Sequence, residues 1–264
     1  MTQHLSFHLN HMRQQTPLVQ NITNFVAMNT MANVMLAAGA SPAMVHAIEE
    51  AEEFAGIASA LSINIGTLQP DWVTAMLNAA GVASAAAKPW VFDPVAAGAT
   101  QYRRQQSERL LQQKPTVIRG NASEIMALAG AETKGRGADA ADSVAAAESV
   151  AIALAKQSGA VVAVTGEIDF ITDGKRLTRV HNGDAMMPKV TALGCSLTGI
   201  VAAFAVGADA FEATVAAIAY YGVAGEMAAA QCSGPGSFQV QFLDALYQLT
   251  PEQLDERARV TYLT

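Results

Sequence analysis

The chain has 264 residues, 51% of them hydrophobic and only 15% charged, with a formal net charge of -7. That balance suits a large buried core and argues against disorder. The chain carries no dense Lys/Arg block, which excludes a surface built to track a nucleic-acid backbone, and its two cysteines, Cys195 and Cys232, allow neither a disulfide framework nor a Cys/His zinc spacing.

Taken in chain order, the first stretch, MTQHLSFHLNHMRQQ, is polar and lacks the apolar centre of a signal peptide. Short β-branched runs then alternate with Ala-rich helical ones: PLVQNIT before NFVAMNTMANVMLAAG, SPAMVH before AIEEAEEFAG, and ALSINIGT before QPDWVTAMLNAAGVASAAA, where Pro70 suits the first helical position. Met28, Met31 and Met35 recur on one helix face, which core packing explains. PWVFDPV, TVIRGN and AVVAVTGE read as further buried strands. In DFITDGKRLTRVHNG, Asp173-Gly174 between two alternating runs predicts a hairpin. Helices over 194–207, 210–231 and 237–249 follow, broken by SGPGS. The apolar runs 194–208 and 213–225 each fall short of the ~20 residues that cross a bilayer. With no repeat and no linker, residues 1–264 are expected to form one cytoplasmic α/β domain. Its central sheet is mostly parallel, with helices on both faces and an antiparallel hairpin at one edge.

Ligands of such sheets gather outside the carboxyl ends of the strands, which selects the loops holding Asn24, Met44, Thr67, Asp93, Arg119, Thr165 and Gly194. Two glycine-rich stretches are decoys. GRGADA (135–140) follows a helix rather than a strand, and GAETKGR lacks the Lys-Ser/Thr pair of a phosphate loop. No GxSxG elbow is present.

The most informative stretch is KVTALGCSLTGIVAAF, where small residues lead into an apolar helix. The first-turn amides of a helix lack intrahelical partners and favour an anion. The same field should lower the pKa of the Cys195 thiol, which is either a base or nucleophile or a small packing residue. In RGNASEIMALAG, Asn121 and Glu124 match a helix cap, and Glu124 is also placed to hold a hydrated magnesium. Arg119 closes a buried strand with a phosphate-binding fork. Asp93 and Thr165 add a carboxylate and a hydroxyl at strand ends. An acid pair, a cation, a hydroxyl and an anion-binding helix mouth together suit phosphoryl transfer. Cys232, in a helix before SGPGS, reads as core.

NITN, GASPAM, LSINIGTL, DPVAAGA, IRGNASEI, VTGEID, HNGD, LGC before a helix, and GPGSF occur in this order from about residue 16 onward. The chain thereby resembles the hydroxyethylthiazole kinase family, thiamine-salvage enzymes of the ribokinase-like fold. The resemblance implies transfer of the ATP γ-phosphoryl to the hydroxyl of 4-methyl-5-(2-hydroxyethyl)thiazole, with Mg2+. By the same resemblance Cys195 is the catalytic residue, and Met44, Ala192, Asn24, Thr67 and Gly194 bind the thiazole. Arg119 and Thr165 contact ATP, while Asp93 and Glu124 hold magnesium through water. A homotrimer is implied, with sites between subunits and with Asn24 and Thr67 serving from opposite sides of an interface. Ala192 stands where the family usually has glycine; an ordinary φ is expected there, so that only a methyl group is added. A hydroxymethylpyrimidine-type kinase and a repair dehydratase of the same fold would each carry aspartate at position 195. A nucleotide sensor would leave Cys195 and Met44 without a task.

Overall fold

The computed structural model describes residues 4–130 and 140–263. GRGADA and GAETKGR fall almost wholly outside these residues. The chain opens with α1 (Leu5–Gln15), β1 (Leu18–Ile22), α2 (Met28–Ala38), β2 (Ser41–Met44), α3 (Ala51–Ile57), β3 (Ala60–Asn64) and α4 (Pro70–Ala85). It continues through β4 (Trp90–Asp93), α5 (Gln101–Leu111), β5 (Val117–Asn121), α6 (Ala122–Leu128), α7 (Ala140–Ser158) and β6 (Val161–Thr165). Next come β7 (Asp169–Thr172), β8 (Leu177–Val180), a 3-10 turn (Met187–Lys189), α8 (Leu193–Phe204), α9 (Ala210–Ala229), α10 (Pro235–Gln248), α11 (Pro251–Arg257) and β9 (Val260–Leu263).

The strands form one sheet in the order β2-β1-β3-β4-β5-β6-β7-β8-β9. The first six run parallel and the last three antiparallel. The Asp173-Gly174 hairpin forms as expected between β7 and β8, with Gly174 at φ 86°. It is not the sheet edge, however, because β9 adds a third antiparallel strand outside it. Pro70 opens α4 as the sequence suggested. No helix among the described residues is long and apolar enough to cross a membrane.

Two cores sandwich the sheet. Strand side chains alternate between faces, so Val91, Val117 and Val161 join the core under α1, α2, α8, α9 and α10. Trp90, Phe92, Ile118 and Val162 join the core under α4 and α7. Helix α8 is apolar on every side and correspondingly buried, with its residues from Ser196 to Phe204 all inside the protein. It lies close to α2 because Gly199 has no side chain: a Cβ there would come within 2.6 Å of the Met35 sulfur and 2.8 Å of the Met31 methyl. Met31 and Met35 of the methionine stripe are therefore core, whereas Met28 is half-buried, and the packing of these two fixes how closely α8 approaches α2.

On α1, Leu5, His8, Leu9 and Met12 form the buried face. Neither ring nitrogen of His8 has a hydrogen-bond partner. Burial, reinforced by His11, pushes its pKa below the ordinary histidine value. The unfolded chain takes up a proton below about 6.5 where native His8 resists it, so stability falls as pH drops through that value. His8→Leu is expected to shrink the loss of Tm between pH 7.5 and pH 5.5; a loss as large as that of the parent protein would contradict this.

Candidate active site

The site follows from strand parity. Residues two apart share a face, so Asn64 shares a face with Ser62, Asp93 with Val91, Arg119 with Val117, and Thr165 with Ala163. All four belong to adjoining strands at their carboxyl ends, on the face covered by α8, with Asn64 directly opposite Asp93 in the ladder. Hydrogen bonds join them in a row. Asn64 Nδ2 donates to Asp93 Oδ2 at 2.7 Å, Arg119 Nη1 lies 3.4 Å from the same oxygen, and Arg119 Nη2 donates to Thr165 Oγ1 at 2.8 Å. Helix α8 closes the row from above, Thr198 Oγ1 donating to Asp93 Oδ2 at 2.8 Å.

Asp93 is 1% exposed, and its other oxygen, Oδ1, has no partner within the protein. Burial is the main cause that pushes its pKa up to about 6; Arg119 pulls the other way, Glu124 adds to the rise, and the Thr198 and Asn64 bonds oppose it. Glu124 completes the capping box of α6, accepting the Asn121 amide at 2.9 Å through Oε2 and the Ala96 amide at 3.1 Å through Oε1. No group of three or more His, Cys, Asp or Glu side chains suited to a metal occurs among the described residues. A magnesium held by two carboxylates, with water and phosphate as its remaining ligands, fits this donor set and the open oxygen of Asp93. An all-protein cage does not.

Cys195 is the third residue of α8 and half-buried. Asn24 Nδ2 donates to its sulfur at 3.3 Å and to Asn64 Oδ1 at 2.8 Å, which ties the thiol to the Asp93 row. The expected acidification of the thiol is overturned. Burial first, then the charge of Asp93, push the pKa of Cys195 above its ordinary value, outweighing the pull of Asn24, Asn64 and Arg119. Dipole reasoning alone omitted both dominant effects.

Ala192 also departs from expectation. It occupies the N-cap of α8 at φ 67° and ψ -1°, in the left-handed region, and no side chain caps the helix. An L-residue with a Cβ rarely adopts this region, so the methyl group carries strain that glycine would not. Gly194 is exposed, and a Cβ there would meet only the Arg119 guanidinium at 3.5 Å. The fold tolerates a side chain at 194, and glycine leaves that patch of backbone bare.

Asn24 and Thr67 lie on one wall of a single chain: the Phe25 amide donates to Thr67 Oγ1 at 3.1 Å. The expectation that they face each other across an interface is corrected accordingly, because the β3–α4 loop folds back over the start of α2. Met44 ends the outer strand β2 and is half-buried. Asn64 and Thr198 were not anticipated. Asn64 closes a strand in register with Asp93, and Thr198 falls three residues beyond Cys195 on the same helix face.

Beside the row opens a cleft of about 1120 Å³ whose lining includes Arg119, Thr165, Gly183, Lys189, Ala192 and Gly194. It is large enough for a nucleotide-sized ligand.

Comparison with known proteins agrees with this geometry. The model of the hydroxyethylthiazole kinase family matches residues 9–252. A hydroxyethylthiazole kinase of Cereibacter sphaeroides is 66% identical over 253 residues, covering 96% of this chain and 97% of the relative. One from Rhizobium leguminosarum is 60% identical over 252 residues, covering 95% and 94%. Among solved structures, a hydroxyethylthiazole kinase protein of Pyrococcus horikoshii superposes with a TM-score of 0.91 at 38% identity, covering 98% of this chain and 99% of the other. The pyridoxal kinase of Staphylococcus aureus reaches a TM-score of 0.62 at 16% identity, covering 94% and 99%, a likeness of fold alone.

Ala192→Gly should relieve left-handed strain of about 1–2 kcal/mol, offset in part by the ~0.4–1 kcal/mol of extra unfolded-state freedom that glycine brings. A net gain of roughly 0.5–1 kcal/mol, read as a Tm higher by about 2 °C, is the expected outcome of a thermal melt. A lower Tm would show that the strain is absent.

Proposed function

The chain belongs to the hydroxyethylthiazole kinase family and phosphorylates the hydroxyl of 4-methyl-5-(2-hydroxyethyl)thiazole with ATP, and we propose that it does so at the mouth of α8, with Cys195 as the residue beside the acceptor alcohol. The observation that carries this placement is the convergence of Cys195, Asn24, Asp93 and Arg119 on one hydrogen-bonded row beside the uncapped start of α8.

In the reaction the alcohol oxygen forms a bond to the γ-phosphorus, the bond from that phosphorus to the β-γ bridging oxygen breaks and leaves ADP, and the hydroxyl proton passes to solvent water. A loose transition state places little demand on a base. A thiol raised above its ordinary pKa is largely protonated at neutral pH, so Cys195 acts mainly by orienting the hydroxyl, with Asn24 fixing the position of the sulfur. Bare amides of the first turn of α8 steady the moving phosphoryl group. Arg119 and Thr165, already joined at 2.8 Å, present a shared donor surface to ATP. Asp93 and Glu124 would hold Mg2+, which when bound would supply neutralisation of phosphate charge. Met44, Thr67 and the Ala192–Gly194 backbone line the thiazole side.

We also take residues 1–264 to act as one kinase domain, working in the cytoplasm as a homotrimer whose subunits meet near the thiazole side. The open edge of β2 and the more than half-exposed Phe25 and Val26 beside Asn24 support that meeting place.

ADP release from purified protein on addition of the thiazole alcohol tests the activity, with magnesium omitted as the control. Cys195→Ser is expected to lower kcat by about 10-fold or more through loss of positioning. The parental kcat should stay nearly flat between pH 7 and 8, because a required thiolate would raise it almost tenfold per unit in that range. A full rate in Cys195→Ser reduces the thiol to packing. Asp93→Asn should abolish magnesium-dependent turnover while the protein still binds adenosine.

A further inference from the structure

Besides the buried Tyr221, six ionisable side chains line the nucleotide cleft: the basic Arg119, Lys189 and His181, and the acidic Glu167, Asp169 and Asp184. Permanent positive charge is therefore outnumbered, two groups against three, in a cleft that must receive a polyanion. Arg119 is heavily committed within the protein. Its Nη1 donates to the Gly194 carbonyl at 2.9 Å and faces Asp93, its Nη2 donates to Thr165, and its Nε is buried. Lys189 differs on each count. It is exposed to the cleft and forms no ion pair or side-chain hydrogen bond among the described residues.

The turn that carries Lys189 is anchored along its length. At its near end, Glu226 Oε1 accepts the Gly183 amide at 3.0 Å, Asn182 Nδ2 at 3.2 Å and Arg259 Nη2 at 2.6 Å. Asn182 in turn accepts the Arg259 amide through Oδ1 and donates to the Arg257 carbonyl at 3.0 Å. In the middle, Met187 seats on Gly225, where any Cβ would come within 2.5 Å of its sulfur, and Asn182 seats on Gly222 in the same way. At the far end Val190 is buried, and Tyr221 donates its hydroxyl proton to the Leu193 carbonyl at 2.8 Å. A solvated lysine needs no such support. A lysine that must meet a ligand at a set place does, since preorganisation lowers the entropy lost on binding.

Resting on the kinase reading above, we propose that Lys189 is a substrate-binding residue whose ammonium group pairs with non-bridging oxygens of the nucleotide's terminal phosphates. It supplies the uncommitted positive charge that Arg119 does not. The 3-10 turn places it six residues before Cys195, on the approach to the uncapped amides of α8.

The test compares Lys189→Ala and Lys189→Arg with the parent enzyme by steady-state kinetics and by calorimetric titration with ATP, ADP and adenosine. Lys189→Ala is expected to raise the KM for ATP and weaken ADP binding by about 10- to 100-fold, as for loss of a charged hydrogen bond. The KM for the thiazole alcohol, the affinity for adenosine and the Tm should be unchanged, and Lys189→Arg should recover most of the loss. Equal ATP and ADP affinities in Lys189→Ala and the parent overturn the assignment, as does a proportionate loss of adenosine binding, which would mark a merely structural role. Absence of ADP release by the parent enzyme itself overturns the underlying kinase reading instead.

Discussion

A carboxylate sealed from water organises this molecule. Asp93 is ringed by Asn64, Thr198 and Arg119, all directed at the same oxygen, so that its other oxygen remains the open valence of the site. A buried charge with one partner removed is strongly destabilising, by roughly 3–5 kcal/mol in comparable pairs. The partners are accordingly drawn from three separate elements, β3, β5 and α8, and the cost of Asp93's burial binds these elements to one another. Its raised pKa, about 6, records how incompletely the partners offset desolvation. That residual deficit is what a magnesium ion would relieve, so the same carboxylate both welds the elements together and remains receptive to a cation.

Two arms of hydrogen bonds leave this carboxylate in different directions. By way of Asn64, Asn24 in the loop before α2 reaches the sulfur of Cys195; by way of Arg119, the row reaches Thr165 and the Gly194 carbonyl. Helix α8 lies between them, and its depth is set by Gly199 against Met31 and Met35. Packing in the core thus sets how far the Cys195 thiol stands from the Asp93 row.

Most strands and helices were legible because their periodicities are strong. The short β-branched run VVAVT, stopped by glycine, and the longer apolar α8 segment each leave one assignment. β9 was not legible: VTYL is short and follows a charged helix, and only pairing with β8 makes it a strand. The site divides in a similar way. Residues at strand ends, such as Asp93, Arg119 and Thr165, could be chosen from the sequence because the sheet rule is local. Asn64 and Thr198 could not, since cross-strand register and the docking of α8 bring them to Asp93. The left-handed Ala192 and the raised pKa of Cys195 were misjudged for a related reason. Each depends on the folded surroundings: the backbone conformation at the junction before α8 in one case, and burial followed by the charge of Asp93 in the other.

The knot of Glu226, Asn182 and Arg259 joins parts of the chain that lie far apart in sequence. Glu226 of α9 accepts from the Gly183 amide and the Asn182 side chain, while Arg259, just before β9, donates to Glu226 and to the His181 carbonyl. The wall of the cleft is thereby stitched to the outermost strand of the sheet, so that a lesion in β9 would be felt at the cleft although no residue of β9 lines it.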